Sequence, residues 1–149
     1  MSYQKPYDLL LSGKTQWNTW RQTDYDVQAL EPDLHNVDMH GADLRGVNLY
    51  RADLTEANLQ GADLRDADLR DADLRHVNLQ GANLSDANLQ KAHVHGADLR
   101  GANLSRTNLR EADFSNADLR GADLEDADIT KTVFSNAKRD TVAVPVQGA

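Results

Sequence analysis

The chain contains no cysteine, which removes disulfides, thiolate metal sites and cysteine nucleophiles together and leaves the redox compartment open. Aromatic residues make up only 5% of a chain that is 40% hydrophobic. A core built on large rings is therefore excluded, and small and branched aliphatics must fill the interior. No Pro-, Gly- or Ser-rich stretch divides the 149 residues, so one domain is expected. Long apolar runs are missing too: Leu9, Leu10 and Leu11 are too few for a signal-peptide core or a membrane span. A soluble, cytoplasmic protein is the expectation.

What the chain has instead is a repeat. From Leu34 to Phe134 every fifth residue is apolar, giving 21 units, with Met39, Val94, Phe114, Ile129 and Phe134 among the variants on leucine. Two residues earlier stands Ala in most units, replaced by Val37, Val47, Val77, Thr107, Thr132 and Pro32. Between the two stands Asp or Asn, except at His93 and Val133. A period of five fits neither a helix nor a long strand, so the chain must turn at every unit. The residue of the five-fold apolar series (position i) and the small residue at i−2 point to one side of a short extended segment, and the Asp or Asn at i−1 points out. Residues i+1 and i+2 make the corner, where Gly or Asn at i+2 suits the positive φ of a type II turn. Ala at i−2 fits because four walls converging on one axis leave no space for a second large side chain.

The runs "ADLRDADLRDADLR" and "GANLSDANLQ" resemble the A(D/N)LXX signature of the pentapeptide-repeat family, and the resemblance covers about two-thirds of the chain. It implies an all-β solenoid, a right-handed quadrilateral parallel β-helix in which four units close each coil. Twenty-one units then give about five coils and, at about 4.8 Å per coil, a rod roughly 25 Å long. Residues 1–31 are expected to form an N-terminal capping segment with a helix near 14–22, residues 32–137 the β-helix and residues 138–149 a C-terminal tail. In the first segment Leu10, Trp17 and Trp20 share a helical face, Gly13 breaks the segment, and the two tryptophans are read as anchors over the first coil. "LLSG" followed by "WNTWR" also resembles a leader found in some family members. The tail, with Pro145 interrupting Val142, Val144 and Val146, is read as extended chain lying over the last coil, and homodimerisation through an exposed end coil stays open as the alternative.

No catalytic constellation emerges. The recurring Asp residues stack at one coil spacing, where carboxylates repel by roughly 1 kcal/mol in water. Such columns are expected to persist because each side chain accepts a backbone N–H near its own turn. By the 20-residue period His93 falls between Asp73 and Asp113, a surface histidine in an acidic column. His93 and His95 make a two-imidazole set with no third ligand, a poor metal site. No catalytic, cofactor-binding or metal-ligating residue is assigned, and no cofactor is expected.

The net charge is −8, yet 12 of the 19 acidic residues in the repeat are the recurring Asp at i−1. The corner positions carry 11 basic against seven acidic residues, a mildly basic outer shell. The walls of Leu34 and Leu44 are acidic, at −4 each, whereas those of Met39 and Leu49 are near neutral. Gly41, Gly61, Gly81, Gly101 and Gly121 all fall at i+2 of one corner, assigned to regular type II turns, with close approach of a partner as the alternative. These features imply a non-catalytic interaction or scaffold protein with another protein as partner, no membrane, and no direct nucleic-acid binding, since no wall is strongly basic. The family resemblance adds one alternative, a DNA mimic occupying a type II topoisomerase such as gyrase. Two features of such relatives, an interrupting loop and a C-terminal dimerisation helix, are not evident in this sequence.

Overall fold

The computed structural model describes residues 5–23 and 30–140. Its organising register is 20 residues: parallel bridges join Asp33 to Asp53, Asp38 to Asn58, Asp43 to Asp63 and Asn48 to Asp68, and continue to Asp118 with Lys138. Four five-residue units therefore make each coil. Every rung of each wall is a single bridging residue, because the chain turns again before a longer strand can form.

One unit shows why the sequence demands this path. Ala82 N–H closes the preceding corner on the Leu79 carbonyl at 3.1 Å; Asn83 N–H reaches back to Ala62 O at 2.9 Å; Leu84 and Asp86 N–H reach forward to Asn103 O and Ser105 O at 2.8 and 3.1 Å. That leaves Ser85 N–H, at the corner, out of reach of either neighbouring coil. The Asn83 side chain accepts it at 3.1 Å. The same bond from residue i+1 to the Asp or Asn at i−1 recurs in unit after unit, for example at Asp53, Asp98 and Asp123. The polar residue of the repeat is thus the fifth acceptor, and in this unit all five N–H groups are paired.

The expected inward positions are the core. Leu54, Leu74, Leu84 and Leu104 are fully buried, as are Ala52, Ala62 and Ala72 between them. In the first wall the column ends in larger groups, with the Phe114 and Phe134 rings 5.7 Å apart. Each corner has the i to i+3 hydrogen bond of a β-turn and a positive φ at i+2. The expectation that Gly or Asn fills this position holds only in part. Arg51, Glu56, His76, Lys91 and Arg106 adopt φ of 56 to 60° there, so the closing hydrogen bonds hold ordinary side chains in a conformation that costs roughly 1–2 kcal/mol per residue.

Two helices precede the coils. Helix α1 spans Pro6–Leu11, with Pro6 fitting the first turn where no N–H is needed. Gly13, at φ +128°, separates it from α2, Lys14–Thr23. Trp17 is fully buried beneath α2, and Trp20 packs on it at 5.1 Å between ring centroids. Polar side chains of these helices bond to the first coil. Trp17 Nε1 donates to Asn48 O at 2.7 Å, Asn18 Oδ1 accepts Asn48 N–H at 2.9 Å, Tyr7 donates to Asp38 O at 2.9 Å, and the Arg21 guanidinium donates to Tyr50 O. In later coils the equivalent groups bond to the coil before. At the far end, Lys138 O accepts Leu119 N–H at 2.8 Å, and the Asp140 carboxylate accepts Gly121 N–H at 2.7 Å, a place held in earlier coils by a backbone carbonyl. The tail residues Val142, Val144, Pro145 and Val146 lie outside the described residues.

Candidate interaction surface

The outward side chains decide what the rod offers. Where the unit reads Asp-Leu-Arg, the guanidinium folds back onto its own Asp. Arg65 donates to Asp63 through Nε and Nη2 at 2.9 and 2.6 Å, Arg100 to Asp98 at 2.9 and 2.7 Å, and Arg120 to Asp118 at 2.9 and 2.6 Å. Asp43, Asp68 and Asp73 are clamped the same way by Arg45, Arg70 and Arg75. The clamp holds Asp43 well below the usual carboxylate range and lowers Asp118 to about 2. The expected basic outer shell is therefore not a separate layer. These arginines lie against the aspartates, and much of the acidic charge is neutralised locally. Arg70 additionally lies over the Tyr50 ring at 5.2 Å.

The glycine corner is different in kind. A Cβ built on Gly41, Gly61, Gly81 or Gly101 meets no atom within 4 Å. Gly96, at another corner, has a steric reason: its Cβ would fall 2.6 Å from the His76 ring. Since other corners hold Arg, Glu and Lys at the same φ, neither backbone conformation nor packing demands five glycines in one column. Their φ of 64 to 73° agrees with the regular type II turns read from the sequence, and the empty space beside Gly41, Gly61, Gly81 and Gly101 leaves room for close approach of a partner as well.

The profile of the family described as pentapeptide repeats matches residues 33–71, 67–106 and 97–136, in eight copies. The chain belongs to the pentapeptide-repeat family. Among solved structures it is similar to the pentapeptide-repeat protein Rfr23 from the cyanobacterium Cyanothece 51142, at 28% identity and TM-score 0.72, covering 87% of this chain and 97% of that one. It also matches HetL, a pentapeptide-repeat protein involved in heterocyst differentiation regulation from Nostoc sp. strain PCC 7120, at 29% identity and TM-score 0.43, covering 76% of this chain and 66% of that one. QnrB1, a plasmid-mediated fluoroquinolone resistance protein, follows at 23% identity and TM-score 0.48, covering 73% and 58%. No curated protein matches.

The departures from the pentapeptide pattern gather around the histidines. His93 is exposed and bridges Asp73 on one side and Asp113 on the other, as the register requires. Its ring accepts no hydrogen bond from the His95 N–H, the bond that the Asp or Asn of other units makes to residue i+1. His95 packs edge-on against His76, with centroids 5.7 Å apart, and its Nδ1 lies 3.1 Å from Ser115 Oγ. Ser115 in turn donates to Asp113. The hydroxyl thus sits between acid and imidazole with its proton turned to Asp113, the wrong order for a base to activate it. Among the described residues His93 and His95 acquire no third metal ligand. Asp33, His35 and Asp53, by contrast, are brought together although the repeat logic singled out none of them. The signal was present as Asp-x-His in the first unit and Asp twenty residues on. No helix among the described residues is long and apolar enough to cross a membrane.

Proposed function

We propose that this pentapeptide-repeat protein is a non-catalytic binding rod whose partner is another protein, docked along the glycine corner. The observation that carries this reading is the column Gly41, Gly61, Gly81, Gly101, where an added side chain would meet empty space. A run of bare backbone about 4.8 Å per step permits close approach of a flat partner surface. On one side the groove is edged by Gln60, Gln80, Arg100 and Arg120, and on the other by Asp63, Asn83, Asn103 and Asp123. Mixed donors and acceptors of both signs suit a protein surface better than a polyanion or a DNA-binding groove. The arginine clamps weigh against the DNA-mimic alternative, since they break up the continuous negative field it needs.

The finer architecture belongs to the same proposal. Winding is right-handed, as parallel crossovers are. Residues 1–31 cap the N-terminal coil, a reading supported by the bonds of Tyr7, Trp17, Asn18 and Arg21 to groups that would otherwise face solvent. Residues 32–137 form the rod and 138–149 the tail.

The test is capture from a native extract with wild type, with Gly61→Gln plus Gly81→Gln, and with Glu56→Gln plus Asn116→Gln at another corner. A protein bound by wild type and the last variant but lost from the glycine variant supports the reading. Equal capture by all three contradicts it.

A further inference from the structure

Where two aspartates of the repeat stack directly on one another, the coil spacing brings their carboxylates close, and the chain normally supplies guanidinium groups between them. Asp43 and Asp63 are each clamped by the arginine two residues on, and Arg45 also reaches Asp63 at 3.9 Å. Asp98 and Asp118 repeat the arrangement, with Arg100 Nε 3.9 Å from Asp118. Asp73, below Asp53, has Arg75. The pair Asp33 and Asp53 has no such arginine: residue 35 is histidine and residue 55 is threonine.

We propose that Asp33, His35 and Asp53 form a binding site for a divalent first-row transition-metal cation, with Zn2+ as the representative. One donor atom from each residue lies within 4.8 Å of the others. A tetrahedral zinc site needs donors about 3.3 Å apart, and these solvent-facing side chains can close that gap by rotation about their own χ angles. Asp53 Oδ1 is held by Thr55, whose N–H and hydroxyl donate at 3.0 and 2.7 Å, so the second oxygen remains for a cation. His35 Nδ1 already faces the Asp33 carboxylate, so a cation between them takes Nδ1 and an Asp33 oxygen as two of its ligands. One imidazole with two carboxylates favours zinc-like ions over Mg2+ or Ca2+, which take oxygen donors.

The neighbouring wall supplies an internal comparison. Asp38 and His40 repeat the first two ligands, with His40 Nδ1 2.8 Å from Asp38, but the third place is Asn58. Its amide donates to Asp38 Oδ1 at 3.1 Å, which presents N–H groups instead of a carboxylate. Asp33 and Asp53 also line a cavity of about 600 Å³ together with Glu31, Arg51, Asp71, Asp73 and His93, and Arg51 is turned to Glu31. A cation there would tie the first coil to the second.

The experiment is calorimetric titration of the tag-free full chain with Zn2+ at about pH 8, repeated on Asp53→Asn, His35→Gln and His40→Gln. Asp53→Asn keeps the acceptor for Thr55, so the fold is retained, and circular dichroism checks this for each variant. One Zn2+ per chain, weakened about tenfold or more by the first two substitutions and unchanged by the third, is expected. Absence of saturable binding, binding indifferent to Asp53→Asn, or Mg2+ bound as tightly as Zn2+ would overturn the site. So would binding abolished by His76→Gln or His95→Gln, which would assign it to the other histidine pair.

Discussion

Asn103 accepts two hydrogen bonds from Ser105 through a single oxygen, the backbone N–H at 2.9 Å and the hydroxyl at 2.7 Å. Ser105 is buried, so water cannot replace that acceptor. Asn103→Ala should therefore destabilise the rod by about 1–3 kcal/mol, the cost of a buried unpaired donor, while Asn103→Asp should be much milder. Urea denaturation of the two variants checks the difference.

The converse applies at His93, where the acceptor is missing. His93→Asn supplies an oxygen at i−1 for the His95 N–H and should stabilise the fold by about 0.5–1.5 kcal/mol, the net worth of an added hydrogen bond. Loss of stability on the same measurement would mean that the His93 ring makes contacts worth more than the bond.

Acid should weaken the rod through its arginine clamps. Asp118 titrates at about 2 because Arg120 hydrogen-bonds its carboxylate, below the unfolded value of about 3.9. A group depressed in the folded state contributes its stability above the unfolded pKa and loses it as pH falls through the folded one. The melting-temperature advantage of wild type over Asp118→Asn should thus be full above about pH 5 and disappear between about pH 4 and pH 2.

Core and corner should respond in opposite ways. Leu84 is fully buried, and Leu84→Lys places a charge among aliphatics with no partner, so it should abolish cooperative folding. Gly81→Gln, at a corner with nothing to meet, should cost only about 1–2 kcal/mol and keep the circular dichroism of wild type.

The DNA-mimic alternative makes its own prediction. Gyrase supercoiling in the presence of excess protein should proceed unchanged, because aspartates such as Asp63 and Asp98 are paired with arginines of their own units. Inhibition or protection would reinstate the mimic.

The coil register was legible in the sequence because a strict period of five permits one stacking: Asp73, His93 and Asp113 align as twenty-residue spacing requires. The inward leucines and alanines followed from the same arithmetic. Three things did not follow. Helix α1 depends on contacts such as Tyr7 with Asp38, 31 residues apart, which no local pattern encodes. The folding of Arg65 onto Asp63 is written in the Asp-Leu-Arg spacing, but only the corner geometry turns the two side chains to the same side. The glycine column agrees in φ with the turn the sequence suggested, but that a Cβ at Gly41, Gly61, Gly81 or Gly101 would meet no atom depends on the folded surface and is not written in the repeat.

The central claim is that the recurring Asp and Asn are structural acceptors, so that any functional information lies in the departures from the repeat. Residue-resolved amide hydrogen exchange tests it most directly. Ser85, Ser105 and Ser115 each donate to an Asn or Asp side chain, whereas His95, at the equivalent position, follows His93. The first three amides should exchange slowly and His95 markedly faster. Equal rates at all four would contradict the account.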